Sequence, residues 1–266
     1  MTDWVQILSD NLADVSDERA REIGKLVTEK MVVVLRNQNL TVEDELNFAK
    51  KCGNVASTAG EKGKHLSIAD GVVRVTGKKN KYGEEGLFGH KATLDWHCNQ
   101  PAANNRMPLI WLYGAEGTAG SRTSWLNMIE AYNDMSEDLR EEIKDIEVTL
   151  GYKVGSYSTN KVFEESHDTD KPIKIVQTNA AGYTGLYFPF LQIFGMKGIS
   201  ENRFNELTER LKAHVLQEKY MYHHDWQDGD VVISEQWLSL HKRWEFQKME
   251  KRVLHRIAFD YSKIYD

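Results

Sequence analysis

Trp96-His97-Cys98-Asn99 is the stretch from which the rest of this chain reads most directly. In an extended segment side chains alternate between faces, so His97 and Asn99 share one side and Trp96 and Cys98 the other. Trp96 and Cys98 then read as core packing, not as a stacking platform or a nucleophile. Outward from this stretch run short apolar segments divided by turns and helices. Strands are expected over Met31–Leu35, Val72–Thr76, Leu109–Tyr113, Val148–Val154, Lys171–Val176, Thr184–Phe188, Val231–Ser234 and Arg252–Tyr261. Helices are expected over Ser16–Lys30, from Thr41 to near Cys52-Gly53, over Leu126–Met135, from Ser136 to about Lys144, and over Ile199–Tyr220. Gly114–Ser121 reads as a turn-rich connection, and the Gly-, Lys- and Glu-rich Lys78–Gly89 as a loop placed to act as a lid. Many short strands with helices between them suit a mainly β, α+β fold. The expected form is a double-stranded β-helix (jelly roll) with helical insertions, in one domain over residues 1–266.

Composition narrows the classes. Hydrophobic residues at 41% and charged residues at 28% are ordinary for a globular protein that buries a full core. A net charge of −6 gives no reason to expect a nucleic-acid partner. Lys78, Lys79 and Lys81 surround a Gly and Asn turn and read as solvated. The only cysteines, Cys52 and Cys98, form no C-x-x-C pair, which points to a reducing, cytoplasmic setting without disulfides. The first residues lack the pattern of a signal peptide, and no run approaches the roughly 18 apolar residues that cross a membrane. The expected partner is a small molecule, with a homo-oligomer left open.

The chemistry comes from residues far apart in sequence. His241 lies in Leu238-Ser239-Leu240-His241-Lys242-Arg243, and Arg252-Val253-Leu254-His255-Arg256 follows. Two imidazoles and one carboxylate on a common face are the usual supply of ligands to a non-haem iron(II) ion that keeps positions open for substrate and oxygen. A 2-oxo acid chelating that ion needs a cation at its far carboxylate, which a guanidinium grips through two parallel hydrogen bonds. Arg252, beyond an expected turn after His241, is placed to return to that pocket. Arg252 and Arg256 as solvated strand-end charges, and Thr123 as a helix cap, are the plainer readings of the same residues.

The order of motifs resembles the taurine dioxygenase/TfdA family of iron(II)- and 2-oxoglutarate-dependent oxygenases. Val32-Val33-Val34-Leu35-Arg36-Asn37-Gln38-Asn39-Leu40-Thr41 is similar to its N-terminal strand and turn, and Phe48 to Gly53 to the helix end that follows. Trp96-His97-Cys98-Asn99 looks like its Trp-His-x-Asp. Gly120-Ser121-Arg122-Thr123-Ser124-Trp125 is similar to its Gly-rich loop and threonine, and Trp226-Gln227-x-x-Asp230 to the approach to its distal histidine. Arg252 and Arg256 match its closing Arg-x-x-x-Arg. The resemblance implies that His97 and His241 bind iron, that Arg252 and Thr123 hold 2-oxoglutarate, and that Arg256 lies at the substrate end. It implies an oxidoreductase using Fe(II), 2-oxoglutarate and O2 on a small polar or anionic substrate.

Asn99 stands where that pattern has an aspartate. A neutral amide oxygen suits a hard cation less well than a carboxylate does. Four readings stay open: Asn99 or a water completes the site and the enzyme hydroxylates; a halide takes the position, giving a halogenase; catalysis is lost and binding kept; or Asp95 or Glu235 substitutes as the carboxylate.

Overall fold

The computed structural model describes residues 3–58, 66–99, 106–152 and 166–265. Apolar, β-branched runs with no polar alternation need cover on both faces. They occupy one side of a seven-stranded sheet, whose order is β1 (Val5–Leu8), β2 (Val32–Leu35), β14 (Val231–Glu235), β6 (Leu109–Glu116), β16 (Val253–Phe259), β4 (Val72–Val75) and β3 (Ser67–Ala69). A four-stranded antiparallel sheet faces it, in the order β13 (Met221–Asp225), β7 (Arg122–Asn127), β15 (Ser239–Arg243) and β5 (Leu94–His97). This is the double-stranded β-helix with helical insertions that the sequence suggests.

Side-chain alternation sorts the strands into three cores. In β6, Ile110 and Leu112 point between the sheets, where they meet Val73, Val75, Val232, Leu254 and Trp125. Leu109, Trp111 and Tyr113 point outward to Ile23, Val27, Phe48 and Ala49 of α1 (Asp17–Lys30) and α2 (Val42–Cys52). Trp96, Cys98, Leu126 and Leu240, on the far side of the four-stranded sheet, pack with α3 (Met128–Asn133), α4 (Glu137–Ile143) and α5 (Glu201–Val215). Each such aliphatic side chain, fully buried, contributes roughly 1.5–3 kcal/mol. β8 (Glu147–Tyr152), β9 (Ser166–Lys174) and β12 (Ile193–Met196) form a third sheet beside this core, and β10 (Val176–Thr178) and β11 (Thr184–Leu186) a hairpin.

The helix starts follow their capping residues. Ser16 accepts from the Arg19 amide, and Thr41 exchanges hydrogen bonds with Asp44 in a capping box. The largest departure from expectation is at Leu126–Met135. The chain there is still strand through Asn127, because β7 is central in its sheet and hydrogen-bonded on both sides, to β13 and β15. Asn127, whose side chain accepts from the Ile129 and Glu130 amides, is the cap. Thr123 is therefore mid-strand and not a helix cap. Gly114–Ser121 is strand as far as Glu116, and the helix expected to reach Tyr220 stops at Val215, with a short 3-10 turn at Glu218–Tyr220. The expected strand Lys171–Val176 is divided between β9 and β10 by a break at Ile175. Strands β1, β3, β12 and β13 are too short or too polar to stand out in the sequence. Within Lys78–Gly89, Gly86 and Leu87 pair with Thr76 and Arg74, so only the part around Asn80–Glu84 projects as a turn. Both cysteines are buried and unbridged, and among the described residues no helix is long and apolar enough to cross a membrane.

Candidate metal and co-substrate site

Between the two sheets lies a pocket with apolar walls and a cluster of polar side chains. Val75, Phe88, Leu94, Leu112 and Leu254 form its apolar walls. Its polar lining is His97, Asn99, Thr123, His241, Arg243, Arg252 and Arg256. All six residues singled out from sequence thus meet in one cavity.

Strand pairing sets the histidines. β15 runs antiparallel to β5 with His241 directly opposite His97, and the ring centroids are 4.1 Å apart. The His97 Nδ1 lies 2.6 Å from the Asp95 carbonyl oxygen and donates to it, and that tautomer carries its lone pair on Nε2. The Trp125 ring stacks on His241 at 6.4 Å. Burial, reinforced by nearby guanidiniums, brings His97 down to about 4. Burial, His97 and Arg256 push His241 well below the usual histidine range. Both rings are neutral at neutral pH, the state that binds a metal.

β5 ends at His97, and two glutamine amides carry the extended chain on to Asn99. Gln192 accepts from the Cys98 amide at 3.0 Å and donates to its carbonyl at 2.7 Å, while Gln236 accepts from the Asn99 amide at 2.7 Å. The Asn99 Oδ1 accepts from Arg256 Nη1 at 2.8 Å, and its Nδ2 lies 3.4 Å from His241 Nε2. A guanidinium only donates, so Arg256 dictates this amide orientation. The proposed substitute carboxylates are engaged elsewhere. Asp95 is half exposed and pairs with Lys242 at 3.0 Å. Glu235 accepts the Trp237 and Leu238 amides at 3.0 and 2.8 Å, and burial lifts it to about 7. Among the described residues no carboxylate lines the pocket, and no three His, Cys, Asp or Glu side chains cluster as a metal site.

Arg252 and Arg256 reach the pocket because the alternate positions 252, 254, 256 and 258 near and along β16 face inward. Arg252 is 1% exposed; its Nε donates to Ser121 Oγ at 3.1 Å, and its Nη1 has no partner among the described residues. Burial, then the charge of Arg243, lowers its guanidinium to about 9. Thr123 accepts from Trp226 Nε1 at 2.9 Å, which leaves its own O–H to donate into the cavity. The buried, under-satisfied guanidinium and this hydroxyl suit a carboxylate; the two imidazoles suit a divalent cation, with an amide as the third donor.

Sequence reasoning missed Arg243, although it shares a strand face with His241 by the same two-residue rule that paired 97 with 99. Its Nη atoms donate to the carbonyls of Phe88, His90 and Ala92 at 2.5, 2.7 and 2.7 Å. Phe88, over the pocket, has φ +54°, a left-handed conformation costly for a bulky residue, and these bonds help hold it. Ser121, Gln192 and Gln236 were missed as supports, since nothing local marks them. Two of the other histidines are structural: His224 contacts Asp230 at 3.0 Å and His255 contacts Glu45 at 2.7 Å. The segment between β4 and β5 contributes Phe88 to the pocket wall, and the start of β5 contributes Leu94.

Known proteins share the sequence pattern and the fold. The chain is 24% identical over 273 residues to an alpha-ketoglutarate-dependent 2,4-dichlorophenoxyacetate dioxygenase of Burkholderia sp. (strain RASC), covering 93% of this chain and 88% of the relative. It is 22% identical over 264 residues to pentalenolactone F synthase of Streptomyces arenae, covering 92% and 87%. A crystal structure of a taurine dioxygenase from Burkholderia xenovorans shares the fold with a TM-score of 0.75 at 17% identity, over 96% of this chain and 88% of that one. Residues 3–258 match the family described as taurine catabolism dioxygenase TauD, TfdA family, and the chain belongs to that family of Fe(II)/2-oxoglutarate dioxygenases.

Proposed function

We propose that this chain is an Fe(II)- and 2-oxoglutarate-dependent oxygenase that hydroxylates a small anionic or polar substrate, and that it acts as a single domain. The observation that carries this reading is Arg252, fully buried with Nη1 unpartnered among the described residues, in one cavity with two neutral, paired histidines. Iron and 2-oxoglutarate, when bound, supply O2 activation, with 2-oxoglutarate leaving as succinate and CO2. The protein's part is position and exclusion of water. His97 and His241 hold the metal. Arg252 grips the far carboxylate, with the Thr123 hydroxyl donating beside it. Arg256, which orients Asn99, also offers charge to a substrate anion; the acidic groups of the compounds in the names of two similar proteins, the carboxylate of 2,4-dichlorophenoxyacetate and the sulfonate of zwitterionic taurine, support that assignment. The apolar walls keep bulk water from the reacting centre.

Asn99 favours a second reading, a relative that binds these ligands without turnover or admits a halide at the metal. Incubation with Fe(II), ascorbate, 2-oxoglutarate and a panel of small organic acids separates them. Succinate formation coupled to a hydroxylated product supports the oxygenase. Turnover restored only in Asn99→Asp supports lost catalysis, and a chlorinated product supports the halogenase.

A further inference from the structure

We propose that the dicarboxylate enters this pocket without a metal, and that tight binding of the divalent metal requires the dicarboxylate to be bound with it. This rests on the oxygenase reading above and concerns how Asn99 changes it. The described lining carries the guanidiniums of Arg243, Arg252 and Arg256, two histidines and no carboxylate. A divalent cation arriving alone meets like charge and two imidazoles. Its third donor is an amide whose oxygen already accepts from Arg256 and whose NH2 group faces His241 Nε2 at 3.4 Å. A carboxylate at position 99 would supply fixed negative charge there; Asn99 does not. A dianion arriving alone meets the opposite situation. Arg252, held at Nε by Ser121, points an Nη1 that is unpartnered among the described residues from a fully buried position, and the Thr123 hydroxyl lines the same pocket with its oxygen already accepting from Trp226. Both are set before any metal is present.

Linkage makes the coupling reciprocal, so each ligand must strengthen the other by the same factor. Couplings between two ligands commonly run from roughly 5- to 150-fold, and this site belongs at the upper end, about 100-fold. The test uses the full chain stripped of metal, with N-oxalylglycine as the dicarboxylate and Mn(II) as the metal. Calorimetry reads N-oxalylglycine binding without metal. Loss of the free Mn(II) electron paramagnetic resonance signal reads metal binding with and without N-oxalylglycine. The expected results are N-oxalylglycine binding to metal-free protein, Mn(II) affinity raised about 100-fold by it, and a ratio that shrinks in Asn99→Asp because Mn(II) alone binds that variant more tightly. Equal Mn(II) affinity with and without N-oxalylglycine overturns the proposal and leaves the oxygenase reading standing. A ratio unchanged in Asn99→Asp overturns the role of Asn99. Binding of neither ligand, alone or together, overturns the oxygenase reading as well.

Discussion

Replacing Arg252 by Met is expected to stabilise the ligand-free protein while removing its response to a 2-oxo acid. The guanidinium is 1% exposed, and burial brings it down to about 9. With each tenfold change in a protonation equilibrium worth 1.36 kcal/mol, that lowering corresponds to about 5 kcal/mol of penalty for holding the charge in the folded state. Met keeps most of the apolar stem. It forfeits the hydrogen bond to Ser121, worth about 1 kcal/mol, but Ser121 Oγ still donates to the Thr118 carbonyl at 2.7 Å. The net gain is roughly 2–4 kcal/mol after allowance for relaxation. At about 2–4 °C per kcal/mol for a domain of this size, Tm rises by roughly 5–15 °C. The gain depends on pH. Above about 9 the unfolded chain holds a proton that the folded one has shed, so wild-type stability rises with pH and the variant's advantage shrinks. Thermal melts at pH 7 and pH 10, with and without N-oxalylglycine, measure all three effects. A variant that melts at or below wild type without ligand refutes the idea of an uncompensated buried cation.

Ser121→Ala removes the partner that orients Arg252 Nε, and N-oxalylglycine affinity should fall roughly three- to tenfold, the worth of one such hydrogen bond, while an unchanged affinity places the orientation elsewhere. Arg243→Lys cannot span the carbonyls of Phe88, His90 and Ala92; faster amide exchange over residues 88–92 is expected, and unaltered exchange contradicts a clamping role. Glu235, raised to about 7, holds its proton in the folded state where the unfolded chain has lost it, so folding weakens as pH climbs through roughly 4.5 to 7. Urea melts should show wild type losing about 2.5 kcal/mol relative to Glu235→Gln between pH 5 and pH 8, and parallel pH dependence counts against that burial penalty.

The core strands were legible because their pattern is local. Val32–Leu35 and Val231–Ile233 are apolar at every position, which marks strands covered on both faces, and Ser16 and Thr41 announce their helices by capping chemistry. β7 was not legible in this way. Thr123 to Leu126 is compatible with either structure alone, and only hydrogen bonding to β13 and β15 decides it. The site divides similarly. His97 and Asn99 share a face by alternation, whereas their meeting with His241 depends on a strand register that no local pattern encodes. Arg243 was within reach of the alternation rule and was passed over. Ser121, Gln192 and Gln236 act through contacts between distant segments, which composition and spacing do not reveal.

Anaerobic titration of the metal-free chain with Fe(II) and 2-oxoglutarate bears most directly on whether the His97, His241 and Arg252 pocket is a 2-oxo-acid iron site. Chelation of the metal by the keto acid should give a weak visible charge-transfer band that requires both components and is lost in His241→Ala and Arg252→Met. No band with both present in wild type or in Asn99→Asp, together with no binding of either, contradicts it.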